Sequence, residues 1–173
     1  KNKSQVILRP DSTEKVSKIV SYCHENKIPI VPQGGNTGLV GGTTSGIEFN
    51  EIIINLDRMQ KIREILEDDS SIIVESGIKL YEIQNIAKSI NKIFPLSLAS
   101  EGSCQIGGNL ATNAGGIHVI RYGNTRDLVL GIEVVLSNGS IINNLKVIKK
   151  NNAGYDLKNL FIGSEGTLGI ITA

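Results

Sequence analysis

Glycine accumulates in three short stretches of this chain, and that restricts its fold more than any other feature. Six glycines lie between Gly34 and Gly46, five between Gly102 and Gly116, and three between Gly163 and Gly169. Glycine in the interior of a helix or strand is unfavourable, so these stretches read as loops joining regular elements. The first, Pro32-Gln33-Gly34-Gly35-Asn36-Thr37-Gly38-Leu39-Val40-Gly41-Gly42, directly follows an apolar run. The second, Gly102-Ser103-Cys104-Gln105-Ile106-Gly107-Gly108-Asn109, is extended by Thr112-Asn113-Ala114-Gly115-Gly116. Without a Cβ, backbone N–H groups can converge on one point, and such nests bind phosphate. Asn36 and Thr37 add short donors that leave the space open. A single loop of this kind is usually only a turn. Two in one small domain, each with Gly-Gly-Asn, point to an anion-binding backbone, with phosphate as the first choice. Neither G-x-G-x-x-G nor G-x-x-x-x-G-K-[ST] occurs, so a Rossmann fingerprint and a P-loop are both unsupported.

The segments between the loops read as an α+β protein. Val6 to Leu8 is a short strand. Asp11 with Glu14 resembles a capping box and starts a helix that buries Val16, Ile19, Val20 and Cys23. Ile28 to Val31 is a second strand, and strand–helix–strand suggests a parallel unit; Ile52 to Leu56 is a third. Ile62 to Leu66 and Ile72 to Glu75 flank Asp68-Asp69-Ser70 as a hairpin. A helix runs through Leu80, Ile83, Ile86, Ala87 and Ile90, with a shorter one from Asn109 to Thr112. Leu128 to Leu136 and Ser140 to Val147 form a hairpin around Asn138-Gly139. A short helix from Asp156 to Leu160 and a strand from Leu168 end the chain. The expected architecture is a small parallel-strand subdomain, about 1–58, followed by a mostly antiparallel one with helices, about 59–173. The start at Lys1 and the uncapped strand ending at Ala173 suggest a piece of a longer protein.

Composition removes several classes of function. Basic and acidic residues number 18 and 17, for a formal charge of +1, and no basic run with interleaved aromatics exists, so nucleic acid is not an expected partner. Two cysteines and two histidines offer little for zinc, and no metal site is expected. Cys23 and Cys104 read as reduced thiols of a cytoplasmic protein. No apolar run approaches the ~20 residues of a membrane span. The sequons at Asn2-Lys3-Ser4 and Asn138-Gly139-Ser140 read as chance, the second as a turn.

The ordered motifs resemble a known family. Ile30-Val31-Pro32-Gln33-Gly34-Gly35-Asn36-Thr37-Gly38-Leu39 is similar to the flavin pyrophosphate loop of the vanillyl-alcohol oxidase/p-cresol methylhydroxylase superfamily, whose domain is called FAD-binding PCMH-type. Gly102 to Gly116, Arg121-Tyr122-Gly123, and Gly163-Ser164-Glu165-Gly166-Thr167-Leu168-Gly169-Ile170-Ile171-Thr172 match its further blocks in order. The resemblance covers nearly the whole chain. It is nearest the branch of D-2-hydroxyglutarate dehydrogenase, FAD-linked D-lactate dehydrogenase and the flavin subunit of glycolate oxidase.

That resemblance implies two α+β subdomains with FAD between them. Gly34, Gly35, Asn36, Thr37, Gly38 and Leu39 would bind the pyrophosphate. Gly102, Ser103, Ile106, Gly107, Gly108, Asn109, Thr112, Asn113 and Gly115 would follow the pyrophosphate, ribityl chain and flavin. Glu165, Gly166, Ile170 and Ile171 would approach from the far strand, with Pro32 and Gly77 as neighbours. Family members that tether FAD covalently carry His where Asn36 stands, so the FAD is expected to be non-covalent. Cys104 sits too close to Gly107-Gly108 to match the cysteine some relatives use, and is expected to pack against the cofactor. The implied activity is an FAD-dependent dehydrogenase or oxidase acting on the CH–OH group of a D-2-hydroxy acid, with an electron acceptor the residues do not identify. Substrate groups would come from a cap domain, leaving this chain inactive alone.

No catalytic residue is assigned. His118 reads as a loop residue near the flavin mouth, Arg126 as facing solvent, and Tyr155 with Asp156 as structural packing; Arg121 could face phosphate, substrate or solvent. Two other readings stay open: a UDP-N-acetylenolpyruvoylglucosamine reductase-like FAD domain, and a nucleotide-binding module without catalysis.

Overall fold

The computed structural model describes residues 6–46 and 50–173; the sequon at Asn2 lies outside them. The first unit is a three-stranded parallel sheet of β1 (Ile7–Leu8), β2 (Ile30–Gln33) and β3 (Ile52–Asn55), in the order β1-β3-β2. The strand–helix–strand reading holds in direction but not in adjacency. β3 inserts between the first two strands, pairing Ile53 with both Ile7 and Val31. The connecting helix α1 (Thr13–Glu25) buries Val16, Val20 and Cys23 as its periodicity predicts. Its cap differs from expectation. Ser12, in an extended conformation, accepts the Lys15 N–H at 3.3 Å, while Asp11 pairs with Lys15 and Arg58. A hydroxyl one residue nearer the helix reaches the free N–H, and the carboxylate is left to ion pairing.

The rest of the chain is antiparallel. β4 (Ile62–Leu66) and β5 (Ser71–Val74) form the first hairpin, with an irregularity between Ile62 and Glu64. Helices α2 (Leu80–Ser89) and α3 (Ile106–Ala111) follow, then α4 (Val119–Tyr122) and a 3-10 turn, Thr125–Leu128. β6 (Ile132–Leu136) lies between β7 (Ile141–Asn144) and β8 (Gly169–Ile171), with α5 (Lys158–Phe161) before β8. The second hairpin is shorter than its sequence suggests, because Asn124 and Asp127 form a capping box that winds 125–128 into the 3-10 turn.

α1 ties the two units together. Its Val16 and Val20 pack with Ile54, Leu56 and Met59 of the first unit and with Val135 and Ile170 of the second. Ser17 Oγ donates to the Gly139 carbonyl at 2.6 Å, seating the Asn138-Gly139 turn against the helix. A second core gathers Ile78, Ile83, Ile106, Leu110, Ile132, Val134, Phe161 and Ile162 between α2, α3 and β6. Between them runs a buried polar network. Glu133 is 6% exposed and accepts from Thr13 Oγ1 at 2.6 Å, Thr172 Oγ1 at 2.9 Å, Arg63 Nη2 at 3.0 Å and Asn143 Nδ2 at 3.1 Å. Burial alone would push the Glu133 pKa up. Hydrogen bonds from Arg63, Thr13 and Thr172, with the Arg63 charge, outweigh it and hold the carboxyl below its ordinary value. No helix of the described residues is long and apolar enough to cross a membrane.

Candidate functional site

The three glycine stretches, far apart in sequence, meet in space. A Cβ on Gly35 would stand 2.3 Å from the Ser103 carbonyl oxygen and 3.1 Å from Cys104 Cα, so the first loop lies directly on the backbone of the second. One on Gly34 would come within 3.3 Å of Gln105 Oε1. The third stretch is fastened to the end of α3, where Gly163 N–H donates to the Leu110 carbonyl (3.0 Å) and Glu165 N–H to that of Ala111 (2.8 Å). Glu165 and Gly166 both have positive φ, and the turn they form presses Gly166 against Pro32, where a Cβ would approach Pro32 Cγ to 2.5 Å.

Between the three loops is a cleft. It is lined by Pro32, Gln33, Gly34, Gly38, Val40, Gly42 and Thr43 from the first loop and Ser76, Gly107, Gly108, Ala111 and Thr112 from the middle. Glu165, Gly166, Gly169, Ile170 and Ile171 close it from the third, with Leu56 at its base. Its donors are free. Among the described residues, no N–H from Gly34 to Leu39 donates to any other protein atom, and neither does that of Gly108 in the first turn of α3. Such N–H groups are normally paired or wet, and those of Gly34, Gly38 and Gly108 belong to residues that line the cleft. Ser76, 1% exposed, also lines the cleft, and its Oγ has no partner; Gln105 Oε1, against Gly34, is likewise unpaired. Free backbone donors, absent side chains at Gly34, Gly38 and Gly108, and an apolar wall of Val40, Leu56, Ile170 and Ile171 fit a diphosphate carrying a flat aromatic group.

Of the residues expected at the site, Pro32, Gly34, Gly38, Gly107, Gly108, Thr112, Glu165, Gly166, Ile170 and Ile171 line this cleft. Asn36, Thr37 and Leu39 stand beside it on the exposed outer part of the first loop. Asn36 adopts φ +53° and its Oδ1 accepts from Thr43 Oγ1 at 2.5 Å. Others are occupied elsewhere. Gly77 is packed under the carbonyls of Leu56 and Met59, and Gly35 against Ser103. Ile106 belongs to the core, Asn113 Oδ1 accepts the Arg126 N–H at 3.0 Å, and Gly115 faces Asn124. Gly102 stands in open space away from the lining.

Three side chains, Cys104, Arg126 and Tyr155, differ from expectation. Cys104 turns inward to Leu80 and Leu96, where its Sγ accepts from Asn109 Nδ2 at 3.6 Å, so it packs in the core and holds Asn109 there too. Arg126 is not simply solvated, because its guanidinium donates to the carbonyls of Asn159 and Ile162 and clamps α5. Tyr155 is 95% exposed rather than packed, while Asp156 pairs with Lys158 and Asn159. His118 is exposed, and its Nδ1 lies 3.0 Å from the Pro95 carbonyl, outside the cleft lining. Arg121 rests over the Tyr122 ring. Ser76 and Gln105 were not singled out by the sequence, since only the folded chain shows a buried hydroxyl and amide oxygen left without partners.

Comparison with known proteins agrees with this geometry. The chain is 48% identical over 170 residues to the mitochondrial D-2-hydroxyglutarate dehydrogenase of Bos taurus, covering 98% of this chain and 31% of that protein. It is 45% identical over 172 residues to the D-2-hydroxyglutarate–pyruvate transhydrogenase of Saccharomyces cerevisiae, covering 99% and 34%. Among solved structures, an alkyldihydroxyacetonephosphate synthase superposes with a TM-score of 0.83 at 28% identity, over 96% of this chain and 30% of that one. A glucose dehydrogenase variant of Phl p 4, at 19% identity and TM-score 0.81, shares the fold. The chain thus spans about a third of the length of the curated relatives it matches. The FAD binding domain family matches residues 4–144, and the chain belongs to that family.

Proposed function

We propose that this chain is the cofactor-holding part of a flavoprotein that oxidises a D-2-hydroxy acid, such as D-2-hydroxyglutarate or D-lactate. The observation that carries the reading is the glycine-lined cleft, where the N–H groups of the lining residues Gly34, Gly38 and Gly108 have no protein partner, in a chain 48% identical to a D-2-hydroxyglutarate dehydrogenase. When bound, FAD supplies the hydride acceptor for the substrate's α-carbon. The first loop would hold the pyrophosphate through its N–H groups, and Gly108 would add a donor from α3. Ser76 Oγ and Gln105 Oε1 are suited to hydroxyls of the ribityl chain. Val40, Leu56, Ile170 and Ile171 would exclude water from the ring system. The remaining expected residues, including Gly77, Gly102, Asn109, Asn113 and Gly115, would act by shaping this backbone.

Attachment is non-covalent in this reading, because the Asn36 amide has no nucleophilic nitrogen to match a histidyl link. Substrate groups and the electron acceptor would belong to the longer protein. A cytoplasmic site accords with the buried free thiols Cys23 and Cys104, while the bovine relative is named as mitochondrial; imaging of the tagged full-length protein decides between them.

The purified full-length protein is expected to be yellow, and acid precipitation should release its flavin to the supernatant. Reduction by a panel of D-2-hydroxy acids, followed by bleaching of the flavin band and dye reduction, identifies the substrate. A colourless protein that takes up no added FAD refutes the cofactor role. Failure of every acid to bleach a bound flavin refutes the substrate class.

A further inference from the structure

Arg63 has no partner across its hairpin. Ile62 pairs with Val74 and Glu64 with Ile73, which leaves Arg63 as the extra residue of a β-bulge in β4. Bulges re-aim side chains, and this one sends a guanidinium to two buried carboxylates. Arg63 Nη2 lies 3.0 Å from Glu133 Oε1, and its Nε lies 3.6 Å from Glu75 Oε1. Glu75 is 4% exposed, and its other oxygen accepts the Lys61 backbone N–H at 2.9 Å. The remaining side chains on Glu133, those of Thr13, Asn143 and Thr172, are neutral. Among the described residues, one cation therefore serves two buried anions.

This cluster lies directly behind the cleft. Ser76 and Ile171 line the cleft, and the residue next to each in sequence belongs to the cluster. Glu75 joins it through its carboxylate, and Thr172 through Oγ1, which donates to Glu133 Oε1 at 2.9 Å. The two walls meet where Ser76 N–H donates to the Thr172 carbonyl (3.0 Å). Gly107 N–H donates in turn to the Ser76 carbonyl (2.8 Å), so a shift of Ser76 carries the start of α3 with it. The seating of Ser76 against Ile171 thus depends on how the carboxylate behind one is held to the carboxylate behind the other. Without a cation between them the two would repel, and a protein interior screens such repulsion poorly.

We propose that Arg63 is a positioning residue for the cofactor, a role that rests on the flavin reading above: by bridging Glu75 and Glu133 it holds the Ser76 and Ile171 walls at the separation FAD requires. Arg63 is not among the residues lining the cleft, so it acts only through its two partners. An ion pair that merely stabilised the fold would change the melting temperature and leave the affinity of the folded protein for FAD unaltered.

The test titrates flavin-stripped full-length protein with FAD, read by quenching of flavin fluorescence, at a temperature where circular dichroism shows each variant folded. Arg63→Met keeps the apolar stem and removes the charge. At about pH 8 it should weaken Kd about 10-fold, within the range by which residues remote from a ligand act. The loss should fade as the pH falls to about 5.5, because burial and like charge both favour protonation of one carboxyl of such a pair. The parent Kd should stay level over the same range. Adding Glu75→Gln to Arg63→Met removes one of the two charges and should bring Kd at about pH 8 back to within about threefold of the parent. If Arg63→Met does not fold, Arg63→Lys takes its place, with a smaller loss, because an ammonium lacks the fork that reaches both carboxylates. A Kd equal to the parent's, or a loss that responds neither to pH nor to Glu75→Gln, overturns this role alone. A parent that binds no FAD overturns the flavin reading and this role with it.

Discussion

Substituting Gly35 and Gly108 separately distinguishes the loop–loop contact from the cofactor contact. The Gly35→Ala methyl would sit 2.3 Å from the Ser103 carbonyl oxygen, with Cys104 Cα at 3.1 Å. Both neighbours are backbone, so neither can swing aside, and one loop must retreat by about 1 Å to restore van der Waals distance. Overpacking of this kind costs about 2–3 kcal/mol, which in a domain of this size lowers Tm by about 5–10 °C. Gly108 is the opposite case. Nothing lies within 4 Å of its Cβ position, and it sits inside α3, where alanine is favoured by about 0.5–1 kcal/mol. Gly108→Ala should melt at or slightly above the parent temperature. Its methyl would nevertheless stand in the cleft beside the free N–H, and displacing a phosphate oxygen from a charge-assisted bond costs about 1.5–3 kcal/mol, about 10- to 100-fold in Kd. Thermal unfolding by circular dichroism without FAD, and quenching of flavin fluorescence on titration, read the two effects separately. An unchanged Kd for Gly108→Ala would place the cofactor elsewhere. An unchanged Tm for Gly35→Ala would show that the loops do not pack as described.

Other predictions concern stability. Ser12→Ala removes the cap on Lys15 N–H and should cost about 1 kcal/mol, seen as a lower urea midpoint with the slope unchanged. Glu133→Gln should cost about 2 kcal/mol, below the ~3–5 of a fully buried pair, because the Arg63 side chain is 28% exposed. The folded-state pKa of Glu133 is lowered, so its stabilisation is fully present above the unfolded value of 4.5 and is lost as pH falls through the lower folded value. The stability gap between parent and Glu133→Gln should therefore narrow on acidification below about pH 4.5; a gap independent of pH refutes this. Arg126→Ala should release α5 from the Thr125–Leu128 turn, read as faster amide exchange at Ile162 and Gly163, with β6 unaffected.

Periodicity and turn chemistry were legible in the residues themselves. The apolar spacing of α1 and α2, the hairpin at Asn138-Gly139 and the glycine clustering follow from local sterics and from one buried face per element, which are properties of short segments. The Ser12 cap, the 3-10 turn at 125–128, the inward turn of Cys104 and the clamp of Arg126 were not, because each depends on a partner brought close only by folding. The same division runs through the site. The sequence alone marked Gly34 to Gly42 and Gly102 to Gly116 as glycine-rich stretches with the chemistry of a phosphate cradle, although the structure winds Ile106–Ala111 of the second into α3. Only the tertiary structure decided that they form one cleft, because Gly35 lies on Ser103 and Gly166 on Pro32, contacts between residues about 70 and 130 positions apart that the packing of α1 and α3 brings together.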